Sequence, residues 1–191
     1  MKNNITIIDT GAGNIHSVYK AFVYIGLNPE VTTDPQIVEK SDAIVFPGVG
    51  AFGAVMNSIK SSGLESTIIN AAKSGKPFLG ICVGMQALFE SGEENSDIKG
   101  LGIFKGRVVK FKKAKKVPHI GWNDSGGEKF YFVHSYYVVP EDKTIVSAET
   151  EYDGERFTSI IKKDNLLAVQ FHPEKSGDAG LELLKSFVAK S

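Results

Sequence analysis

Three short apolar runs in the first half of the chain are joined by segments with a helical spacing of apolar residues. The runs are residues 5–8, 43–46 and 78–81, and the helical patterns are residues 15–25, 52–60, 64–73 and 85–90. Strands that alternate with helices require right-handed crossovers and form a parallel sheet with helices on both faces. Ligands bind such a sheet beyond the carboxyl ends of its strands. The pattern therefore predicts an α/β fold with its functional site at that edge.

Beyond residue 100 the apolar runs are separated by polar turns. They predict strands at residues 102–111, 130–139, 144–148, 157–162 and 166–171 and a C-terminal helix at 179–189. Short turns favour antiparallel hairpins, so these strands should extend the parallel sheet. A chain of 191 residues without a linker or repeat fits one domain. We predict a single domain, residues 1–191, with a three-layer flavodoxin-like open sheet that has a parallel core and an antiparallel extension.

Composition narrows the classes of partner and compartment. Lys plus Arg and Asp plus Glu both number 22, so no excess of positive charge favours nucleic acid or an anionic membrane. Five lysines within residues 110–116 are expected to form a solvated surface. One cysteine excludes an intrachain disulfide, the first apolar run is too short for a signal peptide, and no apolar window approaches a membrane span. We expect a cytoplasmic protein with neither nucleic acid nor membrane as partner.

The only cysteine, Cys82, lies in residues 80–86 (GICVGMQ), between a predicted strand and a predicted helix. At the N-terminus of a helix, backbone N–H groups favour a thiolate and can bind a developing oxyanion. Gly80 and Gly84 fit a sharp turn, because a side chain at either position would collide with it. A buried core cysteine is the alternative. The combination of strand, turn and helix favours a nucleophile.

A base with its own orienting group follows the last predicted strand. Pro173 keeps His172 extended, and residues two apart in an extended segment project to the same side. Glu174 can therefore bind one ring nitrogen of His172 and leave the other free to act on a thiol. The tripeptide alone would equally suit a surface histidine at a strand end. Together with Cys82 it predicts a catalytic triad.

A third glycine-rich strand end, residues 47–50 (PGVG), is a candidate source of backbone hydrogen-bond donors. The N–H group of Val83, directly after the nucleophile, is one natural donor to an oxyanion. We expect the second donor to come from Val49 or Gly50.

The GICVGMQ and HPE segments resemble the class I, or triad, glutamine amidotransferase family. Within it, several segments are similar to the glutaminase subunits of imidazole glycerol phosphate synthase, an enzyme of histidine biosynthesis. These segments are residues 8–14 (IDTGAGN), 46–50 (FPGVG), 117–123 (VPHIGWN), 131–137 (YFVHSYY) and 171–176 (FHPEKS). Thr10 departs from the pattern, since many members carry an aromatic residue there.

The resemblance implies a reaction and its residues. Cys82 would attack the side-chain amide of glutamine, while His172, oriented by Glu174, acts as base and then as acid to the departing ammonia. Hydrolysis of the γ-glutamyl thioester would then release glutamate. No metal or other cofactor is implied. The residues implied to hold glutamine are Gly50, Gln86, Ser135 and Tyr136, of which Tyr136 could also be a core residue.

A partner is expected on physical grounds, because ammonia released into water would be protonated and lost, and this chain has no room for a second catalytic domain. The resemblance implies a heterodimer with a cyclase subunit. That subunit would condense ammonia with a phosphoribulosyl-formimino ribonucleotide, giving imidazole glycerol phosphate and an aminoimidazole carboxamide ribotide. Candidate interface residues are Asn14, Trp122 and Lys175, and internal packing is the alternative for Trp122.

Two other functions remain open at this stage. The nearest is the glutaminase subunit of pyridoxal 5′-phosphate synthase, against which residues 118–123 and 134–137 argue. The other is a binding or regulatory protein that keeps the fold without catalysis, which the complete triad disfavours.

Overall fold

The computed structural model describes residues 4–11, 14–48 and 50–189. The helices are α1 Ile15–Tyr24, α2 Pro35–Lys40, α3 Phe52–Ser61, α4 Glu65–Lys73, α5 Val83–Gln86 and α6 Gly177–Val188. The strands are β1 Ile5–Ile8, β2 Glu30–Thr32, β3 Ala43–Gly48, β4 Phe78–Cys82, β5 Ser91–Gly92, β6 Gly106–Lys110, β7 His119–Ser125, β8 Glu128–His134, β9 Tyr136–Pro140, β10 Val146–Tyr152, β11 Glu155–Lys163 and β12 Leu166–Val169. Short 3-10 turns lie at Lys143–Ile145 and Pro173–Lys175.

A seven-stranded sheet, in the order β10-β11-β12-β4-β3-β1-β2, forms the centre of the protein. The five strands from β12 to β2 run parallel, and β11 and β10 continue the sheet antiparallel. The predicted α/β fold with a parallel core and an antiparallel extension is therefore confirmed. Because β4 lies between β3 and β12, the carboxyl ends of these three strands meet at one edge.

Burial explains why the central strands were recognisable. Every residue of β1, β3 and β4 is buried, as expected for parallel strands covered on both faces. Helix α3 buries Phe52, Val55, Met56 and Ile59, which share one face at helical spacing. No helix in the described parts of the chain is long and apolar enough to cross a membrane.

The predicted strand at residues 130–139 is wrong in one respect, because Ser135 divides it into two strands of different sheets. β8 pairs with β7, whereas β9 pairs with β6. β7 itself was not predicted, since its glycine, asparagine and aspartate weaken the strand pattern. Helix α2 was also missed.

Helix α5 is shorter than the predicted helix at residues 85–90. The carbonyl oxygen of Ala87 accepts a hydrogen bond from Leu101 N (2.8 Å), and that of Leu88 accepts one from Ile103 N (2.9 Å). The chain beyond Gln86 is thus paired with residues 101–103 rather than continuing the helix.

Candidate active site

Cys82 occupies a strained turn at the carboxyl end of β4. It is the last residue of that strand and directly precedes α5, with φ 54° and ψ −111°. A positive φ is uncommon for a residue other than glycine and is typical of functional turns. The turn places the nearly buried thiol at the edge where β3, β4 and β12 end.

Close packing around this turn requires glycine at position 84, as predicted. A Cβ atom at Gly84 would lie 1.9 Å from the carbonyl oxygen of Phe46. At Gly80 the conflict is milder, since a Cβ atom would lie 3.2 Å from the Cβ of Ala168. Helix α5 is therefore pressed against β3, and the position of Cys82 depends on this contact.

His172 and Glu174 form a buried pair just beyond the end of β12. Nδ1 of His172 lies 2.8 Å from Oε1 of Glu174, and the side chains are 1% and 2% exposed. The backbone of His172 is fixed as well, because its N–H group donates to the carbonyl oxygen of Tyr131 (2.9 Å) and its own carbonyl oxygen accepts from Oγ of Ser176 (2.6 Å). These contacts with β8 and with the start of α6 hold the ring in one place.

The electrostatics of His172 favour its charged form. Burial lowers the pKa of His172, but the charge of the nearby Cys82 and the bound Glu174 raise it more, so that the pKa lies well above its ordinary value. Within the described residues, Nε2 of His172 is buried without a hydrogen-bond partner. This nitrogen is available to exchange a proton with the thiol or with a substrate.

A cavity of about 330 Å³ opens beside Cys82. Among the residues that we predicted for catalysis or substrate binding, it is lined by Gly50, Cys82, Val83, Gln86, Ser135, Tyr136 and His172. Glu174 lies behind His172 and is not part of the lining, and Val49 lies outside the described residues. The lining residues not predicted from sequence are Glu94, Pro118, Val133 and His134.

Glu94 brings a carboxylate to the cavity. Its Oε2 accepts a hydrogen bond from the backbone N–H of Phe52 (2.7 Å), and Asn95 Oδ1 accepts one from Gly53 (3.2 Å). Together they cap α3, whose own N-cap residue Ala51 provides no side-chain hydrogen bond. That uncapped start was the one sequence signal that an acceptor must come from elsewhere in the chain.

Two buried amides connect the cavity wall with the thiol. Nε2 of Gln86 donates to the carbonyl oxygen of Tyr136 (3.0 Å) and to Oε1 of Gln170 (3.1 Å). Nε2 of Gln170 donates to Sγ of Cys82 (3.6 Å). Gln170 was not predicted, although it has the same strand parity as His172 and Glu174 and could have been found by extending that argument by two residues.

A histidine pair lies on the other side of the Tyr136 carbonyl group. Nδ1 of His134 is 2.8 Å from that oxygen, and its Nε2 is 3.1 Å from Nδ1 of His119. Burial lowers the pKa of His119 to about 4 and that of His134 to about 3. Both rings are therefore neutral near pH 7.

The three candidate interface residues differ in their surroundings. Asn14 Oδ1 accepts a hydrogen bond from Ser17 N (3.1 Å) and caps α1, and Asn14 also lines the cavity together with the exposed Lys175. Trp122 lies apart from the cavity on β7, where it is 58% exposed and contacts Tyr131 edge-on. It is therefore a surface residue rather than a core residue. The described residues contain no group of three or more His, Cys, Asp or Glu placed to bind a metal ion.

Comparison with known proteins decides the family. A family model described as "Glutamine amidotransferase class-I" matches residues 6–191. The chain belongs to this family. Its relatives include three proteins named "Imidazole glycerol phosphate synthase subunit HisH". That of Methanothermobacter thermautotrophicus is 47% identical, with 96% of this chain and 97% of the relative covered. Those of Acinetobacter baylyi and Pyrococcus furiosus are each 46% identical, covering 96% and 97% of this chain and 97% and 98% of the relatives.

The fold of this chain is also similar to that of solved structures. A structure described as "Structure of PurLQS from Thermotoga maritima" matches with a TM-score of 0.76 at 20% identity, covering 99% of both chains. A "Crystal structure of glutamine amidotransferase" matches with a TM-score of 0.78 at 16% identity, covering 97% of both chains. At these identities the likeness concerns the fold alone. The resemblance inferred from the sequence motifs is confirmed, and the chain is an enzyme of this family.

Proposed function

We propose that this chain is the glutaminase subunit of imidazole glycerol phosphate synthase, which hydrolyses glutamine to glutamate and ammonia for a cyclase subunit. The observation that carries the reaction is the meeting of Cys82, at a strained strand end, with the buried His172–Glu174 pair beside a cavity. The similarity to HisH subunits over nearly the whole chain supports the choice of synthase.

The geometry suits acyl transfer through a thioester. The Cys82 thiolate attacks the side-chain amide carbon of glutamine, and His172, which holds the thiol proton, passes it to the departing ammonia. His172 then takes a proton from water, which attacks the γ-glutamyl thioester and releases glutamate and the free thiol. Glu174 holds the ring and stabilises its charged form.

Backbone N–H groups supply the oxyanion site in this proposal. Val83 is the first residue of α5, so its N–H group has no acceptor within that helix. We assign the second donor to Val49 or Gly50. Gly50 has φ 93°, a conformation that favours glycine. Each such donor is typically worth about 3 kcal/mol of transition-state stabilisation.

The cavity wall supplies groups that match an α-amino acid. Gly50, Gln86, Ser135 and Tyr136 line it, and we assign them to binding glutamine. Burial and then the charges of Glu94 and Glu93 raise the pKa of Tyr136, so its phenol stays neutral. We add Glu94, which lines the cavity and whose negative charge would complement an α-ammonium group.

The chain is one subunit of a multi-subunit synthase, and we propose that its partner is the cyclase subunit, in a heterodimer in the cytoplasm. Trp122 and Ile120 are 58% and 56% exposed and lie two apart on β7, so they form an apolar surface on one side of the hairpin. We assign this surface, with Asn14 and Lys175 at the cavity, to the contact with the cyclase.

The deciding experiment measures glutamate release with and without the cyclase subunit and its ribonucleotide. We expect release to rise strongly with both present, and we expect Cys82→Ala to abolish it while still binding the cyclase. Selective labelling of Cys82 by a reactive glutamine analogue would exclude the binding-protein alternative. Hydrolysis retained by Cys82→Ala would refute the mechanism, and recovery of a pyridoxal-forming synthase in a pull-down would favour the other glutaminase.

A further inference from the structure

We infer that Gln170 is a positioning residue for the nucleophile, donating an N–H hydrogen bond to the Cys82 sulfur that fixes the thiol and stabilises the thiolate. The inference rests on the proposed role of Cys82 as nucleophile.

Burial and distance support this contact. Gln170 is fully buried directly after β12, and its Nε2 lies 3.6 Å from Sγ of Cys82. A buried amide must find partners for its polar atoms, and a thiolate is a charged acceptor that strengthens the hydrogen bond. The titratable groups nearest this thiol are His172 and, behind it, Glu174. Glu94, His134, Tyr136 and Lys175 line the same cavity.

The orientation of the Gln170 amide follows from a backbone carbonyl group. The backbone carbonyl oxygen of Tyr136 can only accept a hydrogen bond. The end of the Gln86 amide that lies next to it must therefore be the NH₂ group. The NH₂ group of Gln86 also lies 3.1 Å from the side-chain amide of Gln170. The end of the Gln170 amide that faces it must therefore be the oxygen. The NH₂ group of Gln170 is therefore left to point at the sulfur.

The carbonyl group of Glu151 lies at the other end of this series of hydrogen bonds and fixes which atoms donate there. Nδ2 of Asn123 donates to the carbonyl oxygen of Glu151 (2.8 Å) and lies 3.4 Å from Nε2 of His119. With His119 protonated at Nδ1, its N–H group donates to Nε2 of His134, whose Nδ1–H then donates to the Tyr136 oxygen. Both tautomers agree with neutral rings, and the carbonyl oxygen of Tyr136 receives a donor from each side.

The consequence is a continuous set of polar contacts with defined directions that ends at the thiol. Replacement of Gln170 by Glu changes one atom group: the acceptor for Gln86 remains, whereas the donor to sulfur becomes an oxygen. Replacement by Met keeps the length of the side chain and removes both polar ends. Gln36→Glu, at an exposed position of α2, is the matched control for the chemical change.

The test is the pH dependence of alkylation by iodoacetamide, which reports on Cys82 alone because the chain has one cysteine. Both Gln170→Glu and Gln170→Met remove the hydrogen bond to the thiolate. We therefore expect alkylation to be at least about tenfold slower at pH 7 in each variant, with the rate profile moved to higher pH. Gln36→Glu should match the wild type. A wild-type profile in either folded Gln170 variant would overturn the inference.

A measurement on the wild-type protein gives a second decision without any variant at Gln170. The side-chain amide signals of Gln170 in ¹⁵N–¹H spectra should shift with the titration of the thiol, and that shift should be absent in Cys82→Ala. Amide signals that ignore the thiol titration would overturn the inference. Failure of the inference about Gln170 would leave the proposed glutaminase function intact. Glutamine hydrolysis by Cys82→Ala would instead refute the proposed function itself.

Discussion

The backbone of Gly84 packs so closely against the carbonyl group of Phe46 that a Cβ atom would lie 1.9 Å from that oxygen. Gly84→Ala must therefore push α5 away from β3 and shift the Cys82 turn. We expect a loss of about 1 to 3 kcal/mol in the free energy of unfolding, typical of overpacking, and a loss of glutaminase activity of at least about tenfold. Thermal unfolding and glutamate release measure the two effects.

Gly92→Ala is the control for this change. A Cβ atom at Gly92 would meet its nearest neighbours at 3.5 Å, an ordinary contact. Its stability and activity should stay near those of the wild type. A Gly84→Ala variant that also behaves like the wild type would contradict the tight packing at the turn.

The residues that meet at the sheet edge could be predicted because each follows a short apolar run and has glycine or proline close by in the sequence. Gly50, Cys82 and His172 come from three such ends, and the parallel order of β3, β4 and β12 brings them to one cavity. A parallel sheet with buried central strands leaves a strong signal in the sequence.

Other features of the fold and the site could not be predicted, because they depend on contacts between residues far apart in the sequence. Aromatic and aliphatic residues lie on both sides of Ser135, so only the pairing of β8 with β7 and of β9 with β6 reveals two strands. Glu94 reaches the cavity because it caps α3, which begins 42 residues earlier in the chain. His119 and His134 are buried polar residues whose partners come from separate strands.

Glu174→Gln tests how His172 is activated. Glutamine keeps the size of the side chain but removes the charge that helps to raise the pKa of His172, so this pKa should fall in the variant. We expect hydrolysis to decrease by at least about 100-fold, the usual range for general acid–base catalysis. NMR titration of His172 and steady-state kinetics measure both. Glu182→Gln, at an exposed position of α6, is the control, and near-normal turnover of Glu174→Gln would contradict the assigned role.

Glu94→Gln tests recognition of the substrate ammonium group. The amide oxygen can still accept the hydrogen bond from Phe52 N, so the cap of α3 is preserved while the charge is lost. We expect KM for glutamine to rise by about tenfold or more, with a much smaller change in kcat, because a binding contact is lost in the ground state and transition state alike. Glu93→Gln, one residue earlier and outside the cavity lining, should have a smaller effect on KM. An unchanged KM in Glu94→Gln would show that the ammonium group binds elsewhere.

The buried histidine pair predicts a loss of stability in mild acid. Burial lowers the pKa of His119 to about 4 and that of His134 to about 3, from an ordinary value of 6.5. Between pH 6.5 and pH 5 the unfolded chain therefore binds protons that the folded protein does not, and stability must decrease as the pH falls. The expected loss is roughly 1 to 2 kcal/mol for each histidine over this range.

The raised pKa of His172 works in the opposite direction, because it weakens stability as the pH rises, chiefly above 6.5. Urea unfolding between pH 6.5 and pH 5 therefore measures chiefly the contribution of the pair His119 and His134 to stability. Most carboxylates titrate below this pH range. His134→Gln should reduce the slope of stability against pH, and His16→Gln, at an exposed position of α1, should leave it unchanged. An equal slope in His134→Gln and the wild type would mean that the pair is not held neutral by the fold.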